Sequence, residues 1–124
     1  MKHILIVDDA ATVRLYYRNT LEEAGYEVDE AVNGMEALER AVAAPYDLYL
    51  VDVNMPILDG YSFLRELRGR DELPQAPAVM ISTEVKPQDA ARAYAVGANF
   101  YITKPVRPDH LLDHVRLLLG ERRP

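Results

Sequence analysis

The chain contains no cysteine, which excludes disulfides and thiol chemistry and suits a reducing compartment. It is also short of cations, with 14 Lys and Arg against 20 Asp and Glu and a formal charge of −6. Binding to a phosphate backbone needs clustered basic residues, and the one basic cluster is Arg122 and Arg123 at the very end, read as a solvated tail. No direct contact with nucleic acid is expected. No apolar stretch approaches the ~20 residues that cross a bilayer, so no membrane insertion is expected. The apolar start, Met1 to Val7, runs straight into Asp8 and Asp9 and has the wrong flanks for a signal peptide. A cytoplasmic location is the expectation. No glycine-rich phosphate loop follows the first apolar run, which sets nucleotide-binding readings aside.

What is present is the composition of one ordinary globular domain. The 124 residues are 49% apolar and 27% charged, enough to bury a single core. A single domain over 1–124 is expected, with its core over about residues 3–120 and a short basic tail after it.

Five short apolar runs read as buried strands: Ile4–Val7, Val28–Ala31, Leu48–Val51, Ala78–Ile81 and Phe100–Ile102. Between them the apolar spacing turns helical. The first helical segment holds Val13, Tyr17, Leu21 and Ala24 and stops at Gly25, and the second runs from about Gly34 to Val42 before Pro45. Asp59 can cap a third that presents Phe63, Leu64 and Leu67. The fourth carries Ala90, Ala93, Tyr94 and Val96 up to Gly97, and the fifth Leu111, Leu112, Val115, Leu118 and Leu119 up to Gly120. Strict alternation of strand and helix demands an α/β, doubly wound parallel sheet with right-handed crossovers. For five strands the flavodoxin-like order 2-1-3-4-5 fits best.

Such a sheet binds ligands beyond the carboxyl ends of its strands, where the strand order reverses. That point lies between the first and third strands. Asp8 and Asp9 follow the first run and Asp52 follows the third, so three carboxylates meet there. Packed acids raise one another's pKa unless a cation joins them. Oxygen ligands select Mg²⁺, Mn²⁺ or Ca²⁺ over zinc. Ser82 follows the fourth run and Lys104 the fifth, at the same edge. A lysine and a hydroxyl opposite acids and a metal make a site for a phosphoryl group carried on a carboxylate.

These residues resemble the receiver domains of bacterial two-component response regulators, the single-domain CheY-like kind above all. The motifs are Ile-Val-Asp-Asp at 6–9, Val-Asp-Val-Asn-Met-Pro at 51–56 with Asp59-Gly60, Ile-Ser-Thr-Glu at 81–84, and Lys104-Pro105. The resemblance implies that Asp52 is the phosphoacceptor and that Asp8, Asp9, Asp52 and the backbone carbonyl of Asn54 organise Mg²⁺, with Mn²⁺ as a substitute. It implies that Lys104 pairs with the phosphoryl group, beside a cis Lys104–Pro105 peptide. Ser82, with Thr83 next to it, would move toward the phosphoryl oxygens, and Tyr101 would turn inward as it does. Asn54 and Glu84 would tune the lifetime, in a pairing that resembles the fast-decaying chemotaxis type.

The implied partners are a sensor histidine kinase or phosphotransfer protein, and a downstream effector at the face made by the fourth helix, fifth strand and fifth helix. The chain would be a signalling phosphoacceptor and not an enzyme, with chemotaxis or motility control as its output. Alternatives are a phosphate sink or relay intermediate and a phosphorylation-independent adaptor. A haloacid-dehalogenase-type phosphatase is disfavoured because Asn54 stands where a second acid is needed. A flavodoxin-type electron carrier would need hydroxyls and glycine where Asp8 and Asp9 stand. His110 and His114, about a turn apart, are read as surface or boundary residues without chemistry.

Overall fold

A computed structural model describes residues 1–121; the basic pair Arg122 and Arg123 lies outside them. Strands and helices alternate: β1 His3–Val7, α1 Ala11–Glu23, β2 Glu27–Ala31, α2 Gly34–Ala43, β3 Leu48–Asp52, α3 Gly60–Gly69, β4 Ala78–Ser82, α4 Pro87–Ala95, β5 Phe100–Thr103 and α5 Pro108–Leu118. The strands form one parallel sheet in the order β2-β1-β3-β4-β5. This is the doubly wound order expected from the sequence.

Period-two alternation splits the strand side chains between two apolar layers. Leu5, Val7, Tyr49, Val51 and Met80 face α2 and α3, where Leu38, Ala41, Phe63, Leu64 and Leu67 meet them. Ile4, Ile6, Leu48, Leu50, Val79 and Ile81 face α1 and α5, against Tyr17, Leu21, Leu111 and Val115. With both faces covered, the strands read as continuous apolar runs.

The helix ends follow local rules. Asp59 accepts a hydrogen bond from the Ser62 amide at 2.7 Å, the N-cap expected for α3. Asn33 caps α2 in the same way through Glu36. Gly97, at φ 105°, receives the chain just after α4 and its C-cap Val96, in a conformation that costs glycine little.

The strands β3, β4 and β5 each run one residue past their apolar runs. Asp52, Ser82 and Thr103 are therefore the last residues of β3, β4 and β5, where a loop position was expected for the first two. The ladder joins backbone groups and is indifferent to side-chain polarity. The acid of β3 and the hydroxyl of β4 are consequently fixed by the sheet itself.

Candidate functional site

The carboxyl edge gathers the acids. Asp8 follows β1, is 1% exposed, and has its amide bonded to the Ala31 carbonyl at 3.1 Å. Its Oδ1 accepts from the Ala10 amide at 2.9 Å, which fixes the carboxylate at the entrance to α1. Asp52 is 8% exposed. Asp9 is exposed at the rim, and one oxygen from each of Asp8, Asp9 and Asp52 lies within 4.8 Å of the others. Lys104, just after β5, places Nζ 3.1 Å from Asp52 Oδ1 and 3.2 Å from Asp8 Oδ2. The Lys104–Pro105 peptide is cis.

The electrostatics favour a cation. Burial, then the charge of Asp8, pushes the Asp52 carboxyl up to about 6, with Lys104 opposing. Burial pulls the Lys104 ammonium down, but Asp52 and Asp8 outweigh it and leave Lys104 above the usual lysine value. One lysine against three carboxylates leaves a surplus of negative charge in a largely buried pocket. A hard divalent ion fits that donor set of carboxylate oxygens.

The loop behind Asp52 is held tightly. Gly60 donates its amide to the Val53 carbonyl at 2.9 Å, and a Cβ at Gly60 would lie 2.3 Å from the Asp52 carbonyl oxygen. Within the loop Ile57 adopts φ 70°, a left-handed conformation unfavourable for a β-branched residue, and the Leu58 amide bonds the Pro56 carbonyl across it at 2.8 Å. The Leu58 carbonyl then accepts from Gly34 at 2.9 Å, which ties the turn to α2.

The other sequence-expected residues lie on the same edge but make different contacts. Ser82 is buried, and its Oγ accepts from the Glu84 amide at 3.0 Å. Tyr101 is half-buried and donates its hydroxyl to the Glu84 carbonyl at 2.8 Å. Asn54, Thr83 and Glu84 have exposed side chains. Ser82 and Tyr101 thus meet through Glu84 and not through the acids. The His114 ring of α5 packs 4.3 Å from that of Phe100 on β5.

A family model described as the response regulator receiver domain matches residues 4–116. The chain belongs to this family. The receiver is 36% identical to the chemotaxis protein CheY1 of Helicobacter pylori over 119 residues, covering 94% of this chain and 96% of that protein. It is also 36% identical to the transcriptional regulatory protein ResD of Bacillus subtilis over 116 residues, but spans only 47% of that protein. The solved structure of the chemotaxis response regulator CheY4 of Vibrio cholerae superimposes with a TM-score of 0.89 at 36% identity, covering 95% of this receiver and 98% of that chain.

The structure also adds residues that the motifs did not mark. Arg14 donates Nη1 to the Asp8 carbonyl at 2.8 Å while its Nε bonds Glu30, so α1 braces the acid's backbone. Tyr16 donates to the Val106 carbonyl at 2.6 Å and straps the segment after Pro105 to α1. Both lie on helix-spaced positions that sequence reads as ordinary, and nothing short of the packing reveals them. Gly60 did carry a signal, since it follows the capping Asp59 directly.

Proposed function

We propose that this receiver is a phosphoacceptor switch in which Asp52 takes a phosphoryl group from a sensor histidine kinase or phosphotransfer protein. The convergence of Asp8, Asp9, Asp52 and Lys104 carries the reading. In the transfer a carboxylate oxygen of Asp52 attacks phosphorus. The bond from phosphorus to the donor's imidazole nitrogen breaks, and the imidazole leaves with the electron pair. Water later attacks the acyl phosphate, releasing inorganic phosphate and regenerating Asp52. Asp8, Asp9, Asp52 and the backbone carbonyl of Asn54 would hold Mg²⁺, or Mn²⁺ in its place, which when bound offsets the crowded negative charge.

Lys104, already paired with Asp52, keeps its charge on the phosphoryl oxygens. Ser82, with Thr83 at the rim, donates to another oxygen after giving up the Glu84 amide. That step releases Glu84, whose carbonyl Tyr101 bonds, so Tyr101 turns inward and reshapes the face of α4, β5 and α5 for an effector. Tyr94 lies exposed on α4 and supplies an apolar contact there. Likeness to CheY1 and CheY4 over nearly their whole lengths supports a chemotaxis or motility output.

The test is incubation with Mg²⁺ and acetyl phosphate, read by intact-mass spectrometry. One added phosphoryl group is expected on the wild type and none on Asp52→Asn or without Mg²⁺. An unmodified wild type under every donor tried would sink the reading.

A further inference from the structure

We propose that Tyr17 is a further residue of the phosphoryl site, its hydroxyl donating to the anionic group carried by Asp52; this rests on the reading of Asp52 as phosphoacceptor.

Tyr17 is 3% exposed, on the face of α1 that packs against Ile4, Ile6 and Ile81. Among the described residues, none hydrogen-bonds its hydroxyl. Most of the chain's other tyrosines are engaged: Tyr16 bonds the Val106 carbonyl, Tyr26 Glu121, Tyr46 Asp29, Tyr61 the Asp89 carbonyl and Tyr101 the Glu84 carbonyl. The ring is therefore buried while the hydroxyl, unbonded to protein, is left free to bond a group that enters from the cleft beside it.

The surroundings say what kind of ligand. Tyr17 shares with Thr83, Lys104, Pro105 and Val106 the wall of a cleft of about 360 Å³. Lys104 at that wall is the same group that contacts Asp52. Burial first, then the charges of Asp8 and Asp52, holds the phenol above its usual ionisation range, so it remains a neutral donor and feels both carboxylates. Lys104 holds Asp8 Oδ2 and Asp52 Oδ1, and the Tyr17 hydroxyl bonds neither carboxylate. A phosphoryl group on Asp52 brings three strong acceptor oxygens, with more lone pairs than Lys104 and Ser82 can use. Tyr49 also lacks a hydroxyl partner among the described residues, but it lies in the other apolar layer, where Arg68 is its charged neighbour.

The experiment compares wild type, Tyr17→Phe, Tyr17→Leu and Tyr49→Phe in Mg²⁺ and acetyl phosphate. Phosphoprotein level and decay are read by intact mass, and the acyl phosphate by phosphorus-31 NMR. Tyr17→Phe keeps the ring. It is expected to hold its thermal midpoint yet reach a phosphorylated level roughly tenfold lower, as for one lost bond to a charged group, with a displaced phosphorus resonance. Tyr17→Leu should lose phosphorylation equally and lose thermal stability as well, while Tyr49→Phe stays at the wild-type level. Wild-type level, decay and resonance in Tyr17→Phe would overturn the proposal while leaving Asp52 as acceptor. Absence of any adduct on the wild type would instead overturn the acceptor reading, and this inference with it.

Discussion

Tyr101 donates its hydroxyl to the backbone carbonyl of Glu84 at 2.8 Å, and the amide of that same Glu84 donates to Ser82 Oγ at 3.0 Å. One residue therefore restrains both the strand-end hydroxyl and the aromatic ring. Tyr101→Phe removes only the hydroxyl. A cost below about 1 kcal/mol is expected, because the bond is solvent-accessible. The clearer effect should be faster amide exchange over the segment around Glu84 with β3 unchanged, measured by hydrogen–deuterium exchange. Unchanged exchange there would mean that the ring restrains nothing.

Asn54 and Glu84 are both exposed, and on the proposed reading they flank the route by which water reaches Asp52. Bulky apolar replacements at either position are expected to slow loss of the phosphoryl group severalfold, since attack by water needs an open line to phosphorus. The decay of the adduct mass after donor removal measures this. Identical decay in both variants would remove these two residues from the control of lifetime.

Asp52 gives the pH dependence its sign. Burial and Asp8 lift its carboxyl from 3.8 to about 6, so the folded chain holds this proton more tightly than the unfolded chain does. Stability that is fully present below pH ~4 is lost as pH rises through ~6, by at most about 3 kcal/mol. In metal-free buffer, Asp52→Asn should therefore raise the thermal midpoint near pH ~7.5 and change little near pH ~4. Added Mg²⁺ should raise the wild-type midpoint more than that of the variant. Calorimetry at the two pH values decides it; equal midpoints at the higher pH would show that the repulsion is not felt.

Gly60 tests how closely the acceptor's backbone is packed. A Cβ there would meet the Asp52 carbonyl oxygen at 2.3 Å and Met80 Cε at 2.9 Å, and the first of these neighbours is backbone. Gly60→Ala is expected to cost about 2–3 kcal/mol in urea denaturation and to impair phosphorylation, because Asp52 must shift. A fully stable variant would show that the loop can give way.

Glu30 ties α1 to β2. Its Oε1 accepts from Arg14 Nε at 2.8 Å and its Oε2 from Arg18 Nε at 2.6 Å. Burial pulls the carboxyl upward, but the bonds and charges of Arg18 and Arg14 prevail and hold it below the usual range. The stability it adds is therefore present above the unfolded value and is lost as pH falls through the folded one. Glu30→Gln should cost about 1 kcal/mol at neutral pH, and less as acid or salt removes the pairing. Urea midpoints at neutral and acid pH give the answer; the same loss at both would mean packing and not charge.

The architecture was legible because the strands are buried on both faces, and such strands announce themselves as apolar runs. Asp8, Asp9, Asp52, Ser82 and Lys104 were legible as neighbours because a parallel sheet brings all its strand ends to one edge. Ile57 was not. Pro56 signalled a turn, but a β-branched residue at φ 70° runs against its own preference and is imposed by the bonds that Leu58 and Gly60 make back to Pro56 and Val53. Tyr17 was visible only as one apolar position among several on α1. Its free hydroxyl and its view of two carboxylates arise from the packing of α1 against the sheet, which no local pattern encodes.

A parallel sheet is a polarised object, and that has a practical side. Everything chemical lies at one rim, while Glu27 opens the edge strand β2 at the other and is exposed. The five residues of a strand such as β1 separate the two rims by roughly 16 Å. Glu27→Cys would create the chain's single thiol. A dye or surface tether attached there would report on or hold the molecule with the acid pocket facing freely away.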